Sequence, residues 1–355
     1  LGGVLMPTVE LMTGTALAIV LIVGGGRVLS ESIEIGTMVA FLLYVQRFFE
    51  PIRTLTMHYA ALQRAVASGH RIFELLDIPL EISDKPDAKS IGDVEGRVEF
   101  KNVTFGYDAE RPILHNISFV AEPGQTIALV GPTGSGKTSI TALAHRFYDV
   151  QEGSISIDGQ DIRNVTQESI GRVMGMVLQE PFLFSKSVLE NVRYNTDKAT
   201  REDVVSACKI IGAHDFVMQL SDGYDTTLEQ RGSNLSVGQR QLLSFARALV
   251  ADPKILVLDE ATANIDSYTE RIIQDALKKL LSGRTALVIA HRLSTIRNSN
   301  QIIVVQNGEI IEQGTHDQLV YATGLYAQLW QTNHTSFDDI ANNADDMNSA
   351  PVSST

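Results

Sequence analysis

Cysteine is nearly absent from this chain of 355 residues, and Cys208 is its single example. One thiol excludes an internal disulfide framework and any zinc site built on paired cysteines, and it suits a reducing compartment. Taken alone it reads as a small buried apolar side chain. Basic charge is scarce too: 29 Lys and Arg stand against 42 Asp and Glu, for a formal net charge of −13. That balance opposes a surface that wraps nucleic acid, so no nucleic-acid partner is expected. Neither a basic leader nor a small-residue cleavage pattern opens the chain, which starts at Leu1 inside an apolar stretch. No signal peptide is expected, and the sequence reads as a fragment whose beginning is missing. What is plentiful is apolar side chain, 44% of residues, in a length that suits two domains.

Between Val4 and Gly26 only Glu10 is charged, and a polar turn around Arg27 to Glu34 leads into a second apolar run, Ile35 to Phe49. Two membrane spans are the expectation, against a buried pair of soluble helices, since a span needs about 20 apolar residues. Arg47, Arg53, Arg64 and Arg71 follow the second run, which puts the downstream side in the cytoplasm. Glu10 then belongs either near the cytosolic headgroups or in a polar cavity. After Pro51, the spacing of Ile52, Leu55, Tyr59, Leu62, Val66, Phe73 and Leu76 predicts a long amphipathic helix that extends the second span. The expected domains are a membrane part over 1–78, a linker over 79–91, a nucleotide-binding domain over 92–332 and a disordered acidic tail over 333–355.

Within the third of these, β-rich runs at 97–105, 113–120 and 126–130 give way to helices alternating with apolar strands such as Ile255 to Leu258 and Ala286 to Ile289. Such alternation predicts a largely parallel sheet flanked by helices, with an antiparallel portion at the front. Asn307-Gly308 marks a hairpin between Ile302 to Val305 and Glu309 to Ile311.

Gly131-Pro-Thr-Gly-Ser-Gly-Lys-Thr138 has the phosphate-loop pattern between an expected strand and a helix whose apolar face is Ile140, Leu143, Ala144 and Phe147. Glycines let backbone N–H groups converge on phosphates, the helix start adds a positive dipole end, Lys137 reaches the outer phosphates and Thr138 can ligate Mg²⁺. The run Ile255-Leu-Val-Leu-Asp259-Glu260 is a buried strand ending in two acids. Asp259 would hold Mg²⁺, directly or through water, and Glu260 would orient and polarise the attacking water. Asn234-Leu-Ser-Val-Gly-Gln239 opens a further helix, with Leu242, Phe245, Ala246 and Leu249 on one face and Ser236 and Gly238 at an anion-friendly N-terminus.

Together these motifs resemble the ATP-binding-cassette transporters, whose signature is Leu-Ser-Gly-Gly-Gln; this copy departs from it at Val237. The resemblance implies an α-helical transmembrane hairpin followed by an α/β P-loop NTPase domain with an antiparallel β subdomain and a helical subdomain. It implies nucleotide contacts from Gly131, Pro132, Thr133, Gly134, Ser135, Gly136, Lys137, Thr138 and Ser139, and from Ser236, Gly238 and Gln239 across a dimer interface. Tyr107 matches the aromatic that stacks on adenine, and Gln179 the glutamine that contacts Mg²⁺ and the attacking water. Asp266 matches the loop acid that joins the two sites, and His291 the switch histidine at the γ-phosphate. Alone, such a tyrosine, glutamine or histidine would read as packing or solvated surface. The membrane segments resemble the last two of six helices of an exporter half-transporter. Implied as well are ATP and Mg²⁺ as cofactors, a second half-transporter (identical or different) as partner, a bilayer of plasma-membrane type with the cassette in the cytoplasm, and an exported lipid, drug or peptide. Exporters of this class usually carry Glu-Arg-Gly before the signature, where this chain has Gln230-Arg231-Gly232.

Overall fold

The computed structural model describes residues 2–108, 110–194, 196, 198–259, 267–290 and 292–331. The chain divides into two compact units, Leu1–Leu80 and Glu81–Thr355. In the first, α1 (Gly2–Ile19), a π-helical turn (Val20–Gly24) and α2 (Gly25–Leu29) follow one another with helical dihedrals at Ile19, Gly24 and Gly25, so they form one rod. After a turn, α3 (Ile35–Leu76) runs for 42 residues with Pro51 inside it. Met6–Leu29 and Ile35–Leu76 are each long and apolar enough to cross a membrane. Gly24 lets the rods approach: a Cβ there would sit 3.2 Å from Met38 Cγ. The apolar positions Leu55, Tyr59, Leu62, Val66, Phe73 and Leu76 all fall on α3, and every one is more than half exposed. Glu10 is exposed as well.

The second unit contains, in order, β1 (Val98–Phe105), β2 (Leu114–Ala121), β3 (Thr126–Val130), α4 (Lys137–Ala144), β4 (Glu152–Ile157), β5 (Gln160–Asp161), α5 (Gln167–Val173) and β6 (Met174–Val177). The helices α6 (Val188–Val192), α7 (Arg201–Ile211), α8 (His214–Met218) and α9 (Val237–Ala251) come next. Then follow β7 (Ile255–Asp259), α10 (Ser267–Leu281), β8 (Thr285–Ile289), α11 (Leu293–Arg297), β9 (Gln301–Gln306), β10 (Glu309–Gly314) and α12 (His316–Val320). One sheet has the order β2-β1-β4-β5, and its pairings are antiparallel. The other has the order β10-β9-β3-β8-β7-β6, parallel except for β10 on the edge.

The central strands carry unbroken apolar runs, at 127–130, 255–258 and 286–289, because both of their faces are covered. Ile127 and Leu129 of β3 point into a core shared with Phe100 and Phe119 of the antiparallel sheet. Ala128 and Val130 point into the opposite core, with Leu242, Leu243 and Phe245 of α9. Strands β7 and β8 alternate in the same way, with Ile255, Val257, Leu287 and Ile289 in the first core and Leu256, Leu258, Ala286 and Val288 in the second. The β9–β10 hairpin turns on Asn307 and Gly308, with φ of 49° and 79°, the pair of positive values that two-residue hairpins need.

The expected apolar face of α4 holds for Ile140, Leu143 and Ala144 but not for Phe147. The helix stops at Ala144, Arg146 takes a left-handed φ of 54°, and Phe147 is turned outward at 54% exposure. What ends the helix is Arg146 itself. Its guanidinium, 1% exposed, donates to Val165 O (2.9 Å) and to Asp149 Oδ1 (3.0 Å), and more loosely to Asp84 Oδ1 and Ser83 O (both 3.4 Å). Residues 83–91 are thereby tied to the cassette, with Lys85 Nζ on Asn164 Oδ1 (2.7 Å) and the Ile91 amide on Ser169 Oγ (3.1 Å).

Candidate functional site

Because β3, β8, β7 and β6 are parallel neighbours, the loops that follow them open on one edge of the sheet. That edge receives the glycine-rich loop after β3, Asp259 at the tip of β7, and Gln179 two residues beyond β6. Glu260, Asp266 and His291 lie outside the described residues; in sequence Glu260 directly follows β7, Asp266 precedes α10, and His291 comes two residues after β8.

The loop 131–136 is shaped by what surrounds it. A Cβ on Gly131, at φ 150°, would run into the Val305 carbonyl oxygen, and one on Gly136, at φ 107°, into Leu114. Glycine is therefore demanded at Gly131 by close backbone approach, and at Gly136 by its positive φ and the Leu114 side chain packed against it. The hairpin tip buttresses the loop: the Gly308 amide donates to Ser135 O (3.1 Å), and the His115 amide to Gly308 O (2.8 Å). Asn307-Gly308 marks a turn in the sequence, but nothing there tells that the turn holds the phosphate loop.

Lys137 opens α4 and is 7% exposed. Its Nζ donates to Pro132 O (2.7 Å), Gly131 O (2.9 Å) and Ser135 Oγ (3.3 Å). Burial lowers its pKa below the ordinary lysine range, while the Asp259 carboxylate opposes the shift, so these two expected site residues do meet electrostatically. The ammonium thus rests on neutral oxygens of its own loop, which a phosphate would outbid as a charged acceptor. Pro132, Thr133, Gly134 and Thr138 are exposed around it, and Ser135 and Ser139 are buried. Tyr107 bonds Ser139 Oγ through its hydroxyl (3.2 Å) and meets Phe105 and Tyr148 edge-on, at 5.1 and 5.0 Å between ring centroids. At 54% exposure it keeps ring surface to offer a planar base.

Among the described residues no group of three or more His, Cys, Asp or Glu gathers to hold a metal. The Thr138 hydroxyl, the Asp259 carboxylate and the Gln179 amide oxygen are the oxygen donors that the sequence assigns to a metal at this sheet edge. That set fits Mg²⁺, which takes one or two carboxylates and fills its remaining positions with water and phosphate.

Ser236 caps α9. Its Oγ accepts from the Gln239 amide (3.2 Å) and Gln239 Oε1 accepts from the Ser236 amide (2.9 Å), a reciprocal capping box. The cap uses Ser236 Oγ as an acceptor, which leaves the O–H as donor for an anion. A Cβ on Gly238 would strike Thr269 of α10, whereas Val237 stands at the first helical position, 45% exposed. Among the described residues no hydrogen bond joins Ser236 or Gln239 to the phosphate loop. Just upstream, Arg231 takes a left-handed φ of 57°, and the neighbouring Glu229 carboxylate accepts from Ser233 Oγ (2.8 Å).

His145 caps the C-terminal end of the phosphate helix, its Nδ1 buried without a partner, and burial pulls its pKa from 6.5 down to about 4. A depressed histidine favours its neutral form, so its contribution to stability is complete above pH 6.5 and is lost as pH falls towards 4. Up to about 3 kcal/mol rides on this one group. His145→Gln should flatten the loss of unfolding free energy between pH 6.5 and 4, measured by urea titration; an unchanged acid slope would assign the loss to other groups.

Residues 114–263 match the family model of the ABC transporter. YknV, an uncharacterized ABC transporter ATP-binding protein of Bacillus subtilis (strain 168), is 46% identical over 330 residues, which are 93% of this chain and 55% of that protein. The chain belongs to the ABC transporter family. The ATP-dependent lipid A-core flippase of Desulfotalea psychrophila is 43% identical over 324 residues, 91% of this ABC chain and 56% of the flippase. The solved structure of a bacterial Atm1-family ABC exporter with ATP bound superposes with a TM-score of 0.71 at 39% identity, over 92% of this chain and 56% of that one. This ABC chain spans about half the length of the curated relatives it matches.

Proposed function

We propose that this chain is the ATP-hydrolysing part of an ABC exporter half-transporter, working with a second, identical or different, half in a plasma membrane with the cassette on the cytoplasmic side. The observation that carries the reading is the sheet edge on which the phosphate loop, Asp259 and the Gln179 loop follow parallel neighbouring strands. Tyr107 stacks on adenine. Residues 131–139 cradle the phosphates, with Lys137 exchanging its loop carbonyls for phosphate oxygens. Thr138, Asp259 and Gln179 would hold Mg²⁺, which would supply positive charge to offset that of the phosphates. Glu260 accepts the proton of the attacking water, and His291 contacts the γ-phosphate.

Ser236, Gly238 and Gln239 serve the nucleotide of the opposite cassette, and Asp266 joins the two sites. That no hydrogen bond among the described residues joins Ser236 or Gln239 to the chain's own phosphate loop agrees with that arrangement. Two apolar rods on the same chain, with exposed side chains such as Ile22 (76%) and Tyr44 (69%), favour an exporter over an importer ATPase or a soluble cassette. The cargo is a lipid, a drug or a peptide; the flippase relative makes lipid the first class to assay. In detergent the chain should release phosphate from ATP and cease when Mg²⁺ is chelated by EDTA. ATP bound with no phosphate released would remove hydrolysis from the proposal.

A further inference from the structure

The segment that follows Gln179 is tied to the signature helix through two side chains, Arg247 of α9 and Asn191 of α6. Arg247 of α9 donates from Nε to Asn191 O (2.8 Å), from Nη1 to Phe182 O (3.0 Å) and from Nη2 to Asn191 Oδ1 (3.3 Å). Its guanidinium carbon lies 5.5 Å from the centre of the Tyr194 ring. Asn191 is 1% exposed; its Oδ1 also accepts from the Phe184 amide (2.8 Å), and its Nδ2 faces Phe184 O and Ser187 O (both 3.0 Å). Phe184 stacks on Tyr194 with centroids 4.7 Å apart. Between these anchors Leu183 is fully buried beneath Gly232, where a Cβ would come within 2.9 Å of Leu183 Cδ1 and 3.3 Å of Arg240 Cδ. Residues 182–187 are thus held to α9 by a fork of hydrogen bonds and to the loop before it by packing.

We propose that Arg247 and Asn191 are positioning residues for ATP hydrolysis, fixing the Gln179 loop to the signature helix so that the two elements shift as one body. The inference rests on the roles given above to Gln179 and Ser236. Gln179 lies three residues ahead of Phe182, a reach of about 10 Å at full extension, so the anchor limits where the amide can go. A signature helix drawn towards a nucleotide on the opposite cassette would carry that anchor with it. The guanidinium fork suits the task because its donors keep a fixed plane, whereas a lysine at the same place offers one rotatable point charge.

The test is a double-mutant cycle on the whole chain in detergent, with steady-state ATPase and hydrogen exchange as readouts. Arg247→Lys should lower kcat about tenfold while leaving KM for ATP within about twofold, as expected of a residue that acts after binding. In a Gln179→Ala background the same substitution should change kcat by less than about twofold, because the element it positions is gone. Tyr194→Leu, which removes only the ring beneath the guanidinium, should act in the same direction and more weakly. Exchange at the Phe184 amide should rise in Arg247→Lys with protection of α9 kept. Equal losses in both backgrounds, or a KM that rises in step with the fall in kcat, would overturn the proposal. A wild-type chain that releases no phosphate would instead defeat the functional reading; the hydrogen-exchange comparison then decides the proposal by itself, and unchanged Phe184 exchange overturns it.

Discussion

Glu260→Gln is expected to retain ATP and lose turnover. Strand β7 pairs with β8 up to Asp259 opposite Ile289, at the sheet edge where the phosphate loop also opens, and Glu260 is the next residue in the sequence. A carboxylate there can take a proton from water; the amide that replaces it has nearly the same shape and cannot. Loss of a positioned general base costs about 10²- to 10⁴-fold in rate, and none of that loss falls on binding if Lys137 and the loop amides carry it as proposed. If two copies close on ATP as proposed, light scattering on the variant should then show a mass that doubles with ATP and Mg²⁺. Steady phosphate release by the variant, in a preparation shown free of other ATPases, would displace Glu260 as the base. A monomer with ATP demonstrably bound would mean that the second cassette is a different chain.

What could be read before any coordinates followed from local rules. The strands β3, β7 and β8 are visible as short unbroken apolar runs because each is covered on two faces, and Asn307-Gly308 announces a hairpin because few other pairs tolerate two positive φ values. The helix after the signature is visible from the period of Leu242, Phe245 and Ala246, whereas the capping box of Ser236 and Gln239 emerged only from the structure. Hidden from the sequence were the features fixed by distant partners. The Phe147 position followed the helical period on paper, yet Arg146 ends the helix to reach Val165 O and Asp149. The support of Ser135 by Gly308, and the grip of Arg247 on Phe182, join residues more than sixty positions apart that have no sequence pattern in common. Periodicity shows which face of an element is buried; it does not show which polar group waits on the other side.

Lys137→Met is the variant expected to separate binding from stability. In the resting loop the lysine donates only to neutral oxygens, Pro132 O, Gly131 O and Ser135 Oγ, and burial already lowers its pKa. A thioether of similar length removes a poorly compensated buried charge, which favours the fold. It also strips a donor from two carbonyls, at a cost of about 1 to 3 kcal/mol if they stayed dry. Pro132 is exposed and Gly131 only partly covered, so water can satisfy both, and the two effects should leave unfolding free energy within about 1 kcal/mol of wild type. Binding has no such compensation. Truncating one partner of a buried charge pair costs about 2 to 5 kcal/mol, which is roughly thirtyfold or more in the dissociation constant for ATP. Calorimetric titration with ATP, beside urea unfolding of the free protein, reads both quantities. Wild-type affinity in Lys137→Met would mean that the ammonium stays on its loop when ATP arrives, whereas a parallel fall in affinity and stability would make the lysine a brace for residues 131–136 before it is a ligand.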